Sequence, residues 1–243
     1  MSLRELYDNY YTTDREKLWY EINAEDKAAN IVRMCGDLGA KKVVDIGAGS
    51  GAVLRRLAEA GLGEELHAAE ISDSGLAELG KLVGGKIAEP RKLDGLKLPY
   101  EDDQFDLAIL SHVVEHVEHP RILLHETRRI AKKVYVEVPL EVVPMKRNLR
   151  GDWKMDTTGH INYYSQDMIR RLMQTSGWRV LKERVTITSP ATYEFMKGKR
   201  GLVEYRLKKV LLGLAPGLAQ SLFTYHGAVL CERGEVLSLG LEG

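Results

Sequence analysis

The chain has 243 residues, and 35 Lys and Arg balance 35 Asp and Glu for a formal net charge of zero. Hydrophobic residues make up 44% and charged residues 29%, an ordinary globular composition that excludes a disordered, collagen-like or coiled-coil protein. Electroneutrality disfavours a large nucleic-acid footprint, and the length suits one domain with elaborations around a sizeable core.

Cys35 and Cys231 stand far apart and form neither a CxxC pair nor a disulfide framework, which points to a reducing, cytoplasmic setting. The first residues are polar and acidic, unlike a secretory signal. No apolar run approaches the roughly 20 residues that span a bilayer.

Residues 1–20 are rich in Tyr and Trp, and a helix is expected over about 24–38, with Ile31, Met34, Cys35 and Leu38 on one face. From residue 41 the pattern alternates. KKVVDI (41–46) reads as a buried strand, GAGSG (47–51) as a glycine loop, and AVLRRLAEAG (52–61) as a helix. A second strand (65–70), a helix (74–83), a third strand (86–93) and a fourth (104–110) follow. Pro120 suits the first turn of a helix reaching about Ala131, and a fifth strand covers 133–139.

Residues 141–164 read as a long polar loop, and Ser165 as the cap of a helix over 166–176. A sixth strand (178–187), an inserted basic helix (about 192–213) and a seventh strand (222–233) complete the chain. The close succession of the last elements predicts an antiparallel pair at one sheet edge. The expected architecture is α/β, a Rossmann-like, seven-stranded, mostly parallel sheet with helices on both faces. Ligands of such sheets sit beyond the carboxyl ends of the strands. The chain divides into an N-terminal helical or lid segment (1–40), a cofactor-binding core (41–140) and a C-terminal part of the same domain (141–243).

The densest signal is VVDIGAGSG, residues 43–51. Gly47, Gly49 and Gly51 punctuate a strand-to-helix turn, where glycine permits positive φ and a close approach of backbone to ligand. Backbone N–H groups and the helix start make the turn a polar cradle. Glu70 ends the next strand, where a carboxylate can accept hydrogen bonds from ribose hydroxyls. Gly47-x-Gly49-x-x-Ala52 also fits a dinucleotide fingerprint, so a nicotinamide dinucleotide stays open. Asp45 argues against it, because a carboxylate there repels a pyrophosphate and suits a cationic amine. S-adenosylmethionine carries an amine and a sulfonium, and no phosphate.

The segment from 41 to 139 resembles the class I S-adenosylmethionine-dependent methyltransferases, in their small-molecule branch. Asp45-x-Gly47-x-Gly49-x-Gly51 is similar to their first motif, Glu70-Ile71-Ser72 to the second, Leu93-Asp94-Gly95 to the third, and LAILSHVVEHV (107–117) to the motif after strand four. GHINYYS (159–165) with SGW (176–178) is similar to the later part of many such enzymes. The resemblance implies a reversed final strand, S-adenosylmethionine as cofactor with S-adenosylhomocysteine as product, and an unidentified small-molecule acceptor. It implies cofactor contacts from Asp45, Gly47, Ala48, Gly49, Gly51, Glu70, Ile71, Leu93, Asp94, Gly95, Ser111 and His112. Ile71 would pack on adenine and Asp94 would meet its amino group.

His112 is the candidate general base for a hydroxyl acceptor. His160 and Tyr11 are the candidates for the acceptor side. A zinc hydrolase is a second reading, because His112-Val-Val-Glu115-His116 matches H-x-x-E-H and would place two histidines on one helix face. It lacks an obvious third ligand, and no metal requirement is expected. A non-catalytic module that only holds the cofactor is a third reading. Glu115 and His116 are expected to fix the local backbone, and His67, His125 and His226 to pack or face solvent.

The zero net charge conceals an asymmetry. Residues 1–140 carry a net −6 and residues 141–243 a net +6. Lys197, Lys199, Arg200, Arg206, Lys208 and Lys209 stand among Leu202, Val203, Leu207, Val210 and Leu211. That cluster reads as a solvated helix face, or as a basic amphipathic lid for an anionic or lipid-linked acceptor or a membrane surface.

Overall fold

The computed structural model describes residues 14–93, 97–143 and 159–235. Seven strands form one sheet: β1 Lys42–Ile46, β2 Glu65–Glu70, β3 Arg91–Lys92, β4 Phe105–Ser111, β5 Ala131–Leu140, β6 Trp178–Thr186 and β7 Tyr225–Arg233. Their order is β3-β2-β1-β4-β5-β7-β6. β7 runs antiparallel to both neighbours, and the other pairings are parallel. The expected mostly parallel sheet with a reversed final strand is borne out. β7 inserts between β5 and β6, so β6 becomes the edge strand.

The helices are α1 Asp14–Cys35, α2 Ala52–Glu59, α3 Asp73–Gly80, α4 Pro120–Ile130, α5 Gln166–Thr175, α6 Pro190–Lys197, α7 Lys199–Leu214 and α8 Pro216–Leu222. Side chains of alternate strand positions face opposite sides of the sheet. Val43, Leu107, Ile109, Tyr135 and Leu230 join Ile31 and Met34 of α1 and Leu54 and Leu57 of α2 in one core cluster. Val44, Ile46, Ala108, Leu110, Val134 and Val136 join Leu123 and Leu124 of α4 and Ile169 and Met173 of α5 in the other. Strand order reverses between β1 and β4, which opens a crevice at their carboxyl ends.

Four expectations need correction. The first helix starts at Asp14, not near 24, and ends in a short 3-10 turn over Gly36–Leu38; its first turns are too polar to show an apolar period. The third strand shrinks to Arg91–Lys92, with Ile87 making only an isolated bridge to Leu66. The inserted helix is broken at Gly198, whose φ of 59° ends α6, and a further helix, α8, follows with Pro216 in its first turn. Lys208 does not belong to a solvated basic face. It is buried, donates to the Thr224 carbonyl at 2.7 Å, and lies over the rings of Tyr193 and Tyr225. The face of α7 that does meet solvent carries Val203, Leu207, Val210 and Leu214 as well as Lys199, Arg200, Arg206 and Lys209.

The turn from α6 to α7 depends on Gly201. A Cβ there would stand 2.1 Å from the Tyr193 carbonyl oxygen and 2.7 Å from its carbon. Both are backbone atoms and cannot rotate away. Gly201→Ala is expected to cost about 1–3 kcal/mol through overpacking, read as a lower urea midpoint at unchanged slope.

Candidate active site

The β1–α2 turn is shaped by Gly47, Gly49 and Gly51, all with positive φ (73°, 56° and 78°). Gly51 shows why glycine is needed. It caps α2 in the left-handed conformation, and a Cβ would fall 2.6 Å from Leu79 Cδ2 and Leu82 Cδ1. Backbone N–H groups of Gly47 and Ala48 donate to the Ala69 carbonyl at 2.8 and 3.3 Å, tying the turn to β2.

Glu70, at the end of β2, grips the same turn from the side. Its carboxylate accepts from Gly49 N–H at 2.8 Å, Ile71 N–H at 2.8 Å and Ser72 N–H at 2.9 Å. Ser72 in turn caps α3 by accepting from Gly75 N–H. The acid that reads as a ribose ligand is therefore also the clamp of the glycine turn.

A cavity of about 430 Å³ opens at this crevice. Asp45, Gly47, Ala48, Gly49, Glu70, Ile71, Leu93, Ser111 and His112 all line it. Gly51 stands behind it as the cap of α2. Ile71 is 41% exposed, which leaves an apolar surface on the cavity wall. Asp94, Gly95 and Tyr11 lie outside the described residues. His160 is absent from the lining and packs behind His116, with ring centroids 4.7 Å apart.

Asp45 is 3% exposed. Burial pushes its carboxyl up to about 7, against the pull of Lys27, and the charge of Glu70 adds to the rise. Glu137, on β5, is likewise driven up to about 7 by burial. Its oxygens accept from Tyr135 OH at 3.0 Å, Asn30 Nδ2 at 3.0 Å and Ser111 OH at 3.4 Å. Burial holds the Lys27 ammonium below its ordinary value, with Glu137, Glu115 and Asp45 opposing the fall.

His112 directly follows β4 in the left-handed region, with φ of 59°. Such a conformation costs a non-glycine residue about 1–3 kcal/mol, and it is held by the His112 N–H donating to the Glu137 carbonyl at 2.8 Å. The strained turn aims the imidazole at the cavity. Burial lowers its pKa well below the usual histidine value, which keeps the ring neutral near pH 7. His226 lies against it with ring centroids 4.7 Å apart.

Residues 112–119 form turns, not a helix. The helix face that the zinc-hydrolase reading requires is not formed. The segment at 159–164 clasps these turns instead. Ile161 and Asn162 N–H donate to the Glu115 carbonyl, both at 2.9 Å, and Asn162 Nδ2 donates to the Val117 carbonyl at 2.7 Å.

Lys27 and Glu137 escaped the sequence reading, and His226 packs as expected, but its place against His112 was not foreseen. Lys27 follows Tyr20, Asn23 and Ala24 on one stripe of α1, and all four line the cavity; that stripe becomes visible only once the helix is started at 14. Glu137 left a signal, as a lone carboxylate inside the apolar strand VYVEVP. His226 left none.

The fold, the glycine turn and the acid at the end of β2 define a Rossmann-like nucleoside-cofactor protein. A family model described as a methyltransferase domain matches residues 18–183, and the chain belongs to that family. An uncharacterized methyltransferase of Mycobacterium tuberculosis is 30% identical over 148 residues, 54% of this chain and 53% of that one. A demethylmenaquinone methyltransferase of Clavibacter sepedonicus is 31% identical over 121 residues, 47% of this chain and 48% of that one. The chain thus spans about half the length of the curated relatives it matches. Magnesium protoporphyrin IX methyltransferase of Synechocystis PCC 6803, solved with bound S-adenosylhomocysteine, superposes with a TM-score of 0.59 at 15% identity, covering 95% of this chain and 92% of that one. The resemblance to class I S-adenosylmethionine-dependent methyltransferases is borne out. Among the described residues, no helix is long and apolar enough to cross a membrane.

Proposed function

We propose that the protein transfers the methyl group of S-adenosylmethionine to a small-molecule acceptor. The observation that carries this reading is the pair of buried acids, Asp45 and Glu70, flanking the glycine turn on the wall of one cavity. The donor set fits the cofactor. A buried carboxylate whose charge burial disfavours regains it beside a cation, and the turn offers backbone N–H groups beside it.

Asp45 would hold the amine of the cofactor, Glu70 its ribose, and Ile71 and Leu93 its adenine. Bound there, S-adenosylmethionine supplies an electrophilic methyl on its sulfonium. The protein's part is then chiefly orientation, which can lower a barrier by about 7–11 kcal/mol. His112, neutral and aimed into the cavity, would take the proton of a hydroxyl acceptor.

The demethylmenaquinone methyltransferase relative supports a small organic acceptor. An anionic or lipid-linked acceptor is favoured by the insertion over α6–α8. It leaves the sheet from the carboxyl end of β6, the end on which the cavity opens, and α7 exposes apolar and basic side chains together. A panel of quinols, phenols, organic acids and lipid-linked hydroxyls, assayed for S-adenosylhomocysteine release, tests the acceptor. No release with any of them from a protein that binds the cofactor would favour a non-catalytic module.

The cofactor assignment has a pH signature. Asp45 must be ionised to neutralise an amine, and its carboxyl titrates at about 7. Affinity for S-adenosylmethionine should therefore fall as pH drops through 7, about tenfold between pH 8 and pH 6. Asp45→Asn should bind weakly and show a flat profile. Calorimetric titration at several pH values reads both, and no binding to folded protein at pH 8 sinks the proposal. In the ligand-free protein the raised pKa works against stability. Between about pH 4 and pH 7 the folded state keeps a proton that the unfolded chain has released, so stability should decline over that window as pH rises.

A further inference from the structure

Among the described residues, two clusters of metal-capable side chains adjoin the cavity: His112, Glu137 and His226, and Glu115, His116 and His160. In the first, the Glu137 carboxylate already accepts from Tyr135, Asn30 and Ser111. Most of its acceptor positions are thus filled by the protein itself.

The second cluster is built differently. Glu115 is 0% exposed, and neither of its carboxylate oxygens has a hydrogen-bond partner among the described residues. His112 Nδ1 comes within 3.1 Å of Oε1, but not in hydrogen-bond alignment. A buried carboxylate without compensation costs several kcal/mol, and such groups are normally paired or bound to a metal.

The two histidines beside it are oriented in the way metal-ligating histidines are. His116 Nδ1 lies 3.1 Å from the Gly159 carbonyl. A carbonyl only accepts, so Nδ1 carries the proton and the lone pair falls on Nε2. His160 Nδ1 lies 2.8 Å from Glu141 Oε2, which sets the same tautomer. A ligating imidazole typically donates its other N–H to a carbonyl or carboxylate in this manner. One donor atom from each of Glu115, His116 and His160 lies within 4.8 Å of the others. Ligation at about 2.0–2.2 Å would draw them together by small side-chain rotations. The backbone bonds from Ile161 and Asn162 to Glu115 hold the two segments in register.

We infer that Glu115, His116 and His160 form a binding site for one divalent transition-metal ion, opening on the cavity through His116. Two imidazoles and a carboxylate suit zinc, iron, cobalt or manganese better than magnesium or calcium, which prefer oxygen alone. The trio shares Glu115 and His116 with the H-x-x-E-H string, leaves His112 outside, and takes its remaining ligand from His160. An ion at this wall would polarise an acceptor oxygen and ease its deprotonation. That role rests on the methyl-transfer reading, whereas the site itself does not.

The test uses the whole chain, stripped with chelator and titrated separately with zinc, cobalt and manganese. One equivalent of zinc per chain is expected, and cobalt should give the absorption of mixed nitrogen and oxygen ligation. His160→Ala should abolish stoichiometric uptake. Glu141→Gln, which touches only the outer hydrogen bond, should weaken zinc about 10–100-fold. Thermal shift with S-adenosylhomocysteine runs alongside. A shift retained in both variants shows that they are folded, and metal uptake without any shift in the wild type would fail the cofactor reading alone. No stoichiometric uptake of any of the three ions by folded wild type overturns the site, leaving Glu115 a protonated acid. Uptake that neither variant alters overturns it as well.

Discussion

Glu70→Ala is expected to weaken S-adenosylmethionine on the order of 100-fold and to loosen the glycine turn at the same time. Three backbone N–H groups, from Gly49, Ile71 and Ser72, lose their acceptor. Hydrogen bonds to a charged group contribute about 1.5–3 kcal/mol each, and about 1.4 kcal/mol is a factor of ten in affinity. A carboxylate offers about four acceptor positions, and backbone fills three, so a ribose hydroxyl must use the remaining one or displace the Gly49 N–H. The substitution should therefore also lower the melting temperature without ligand, an effect that a purely ligand-contacting acid would lack. Glu70→Gln, which keeps an acceptor oxygen, should fall between. Calorimetry and thermal denaturation measured together decide it. Unchanged affinity in Glu70→Ala would show that the ribose lies elsewhere.

Trp178→Ala should be the most destabilising change outside the cavity, at about 3–5 kcal/mol. Trp178 opens the edge strand β6, is 2% exposed, and belongs to the core cluster that seats α4 and α5. Its Nε1–H donates to the Leu124 carbonyl at 3.2 Å. For a domain of this size the loss corresponds to roughly 6–20 °C in melting temperature. Trp178→Phe keeps most of the ring and should cost about 1–2 kcal/mol. Urea denaturation separates the two, and equal losses would mean that the hydrogen bond, not the volume, dominates.

The site was legible where it is local. Asp45, the glycine turn and Glu70 belong to one strand–turn–helix–strand unit, and the backbone freedom of glycine ties residue type to conformation there. Ser165 and Pro120 likewise marked the starts of α5 and α4, because caps act within one turn. Legibility failed where a residue's role depends on a distant neighbour. Lys27 on α1 and Glu137 on β5 are coupled through their charges, and His226 reaches His112 from β7. Lys208 looked like surface charge, and it is buried among aromatic rings because α7 folds back onto β7.

The sequence by itself determined the class. Alternating apolar strands and helices, with glycines and acids at set offsets, suffice for a Rossmann-like sheet and its nucleoside crevice, since period and φ preference are local properties. Only the tertiary structure decided which polar side chains meet. It joined His160 to Glu115 and His116 across more than forty residues, and it left that buried carboxylate without a hydrogen bond among the described residues. Burial and desolvation are properties of the packed assembly, and no single segment of chain carries them.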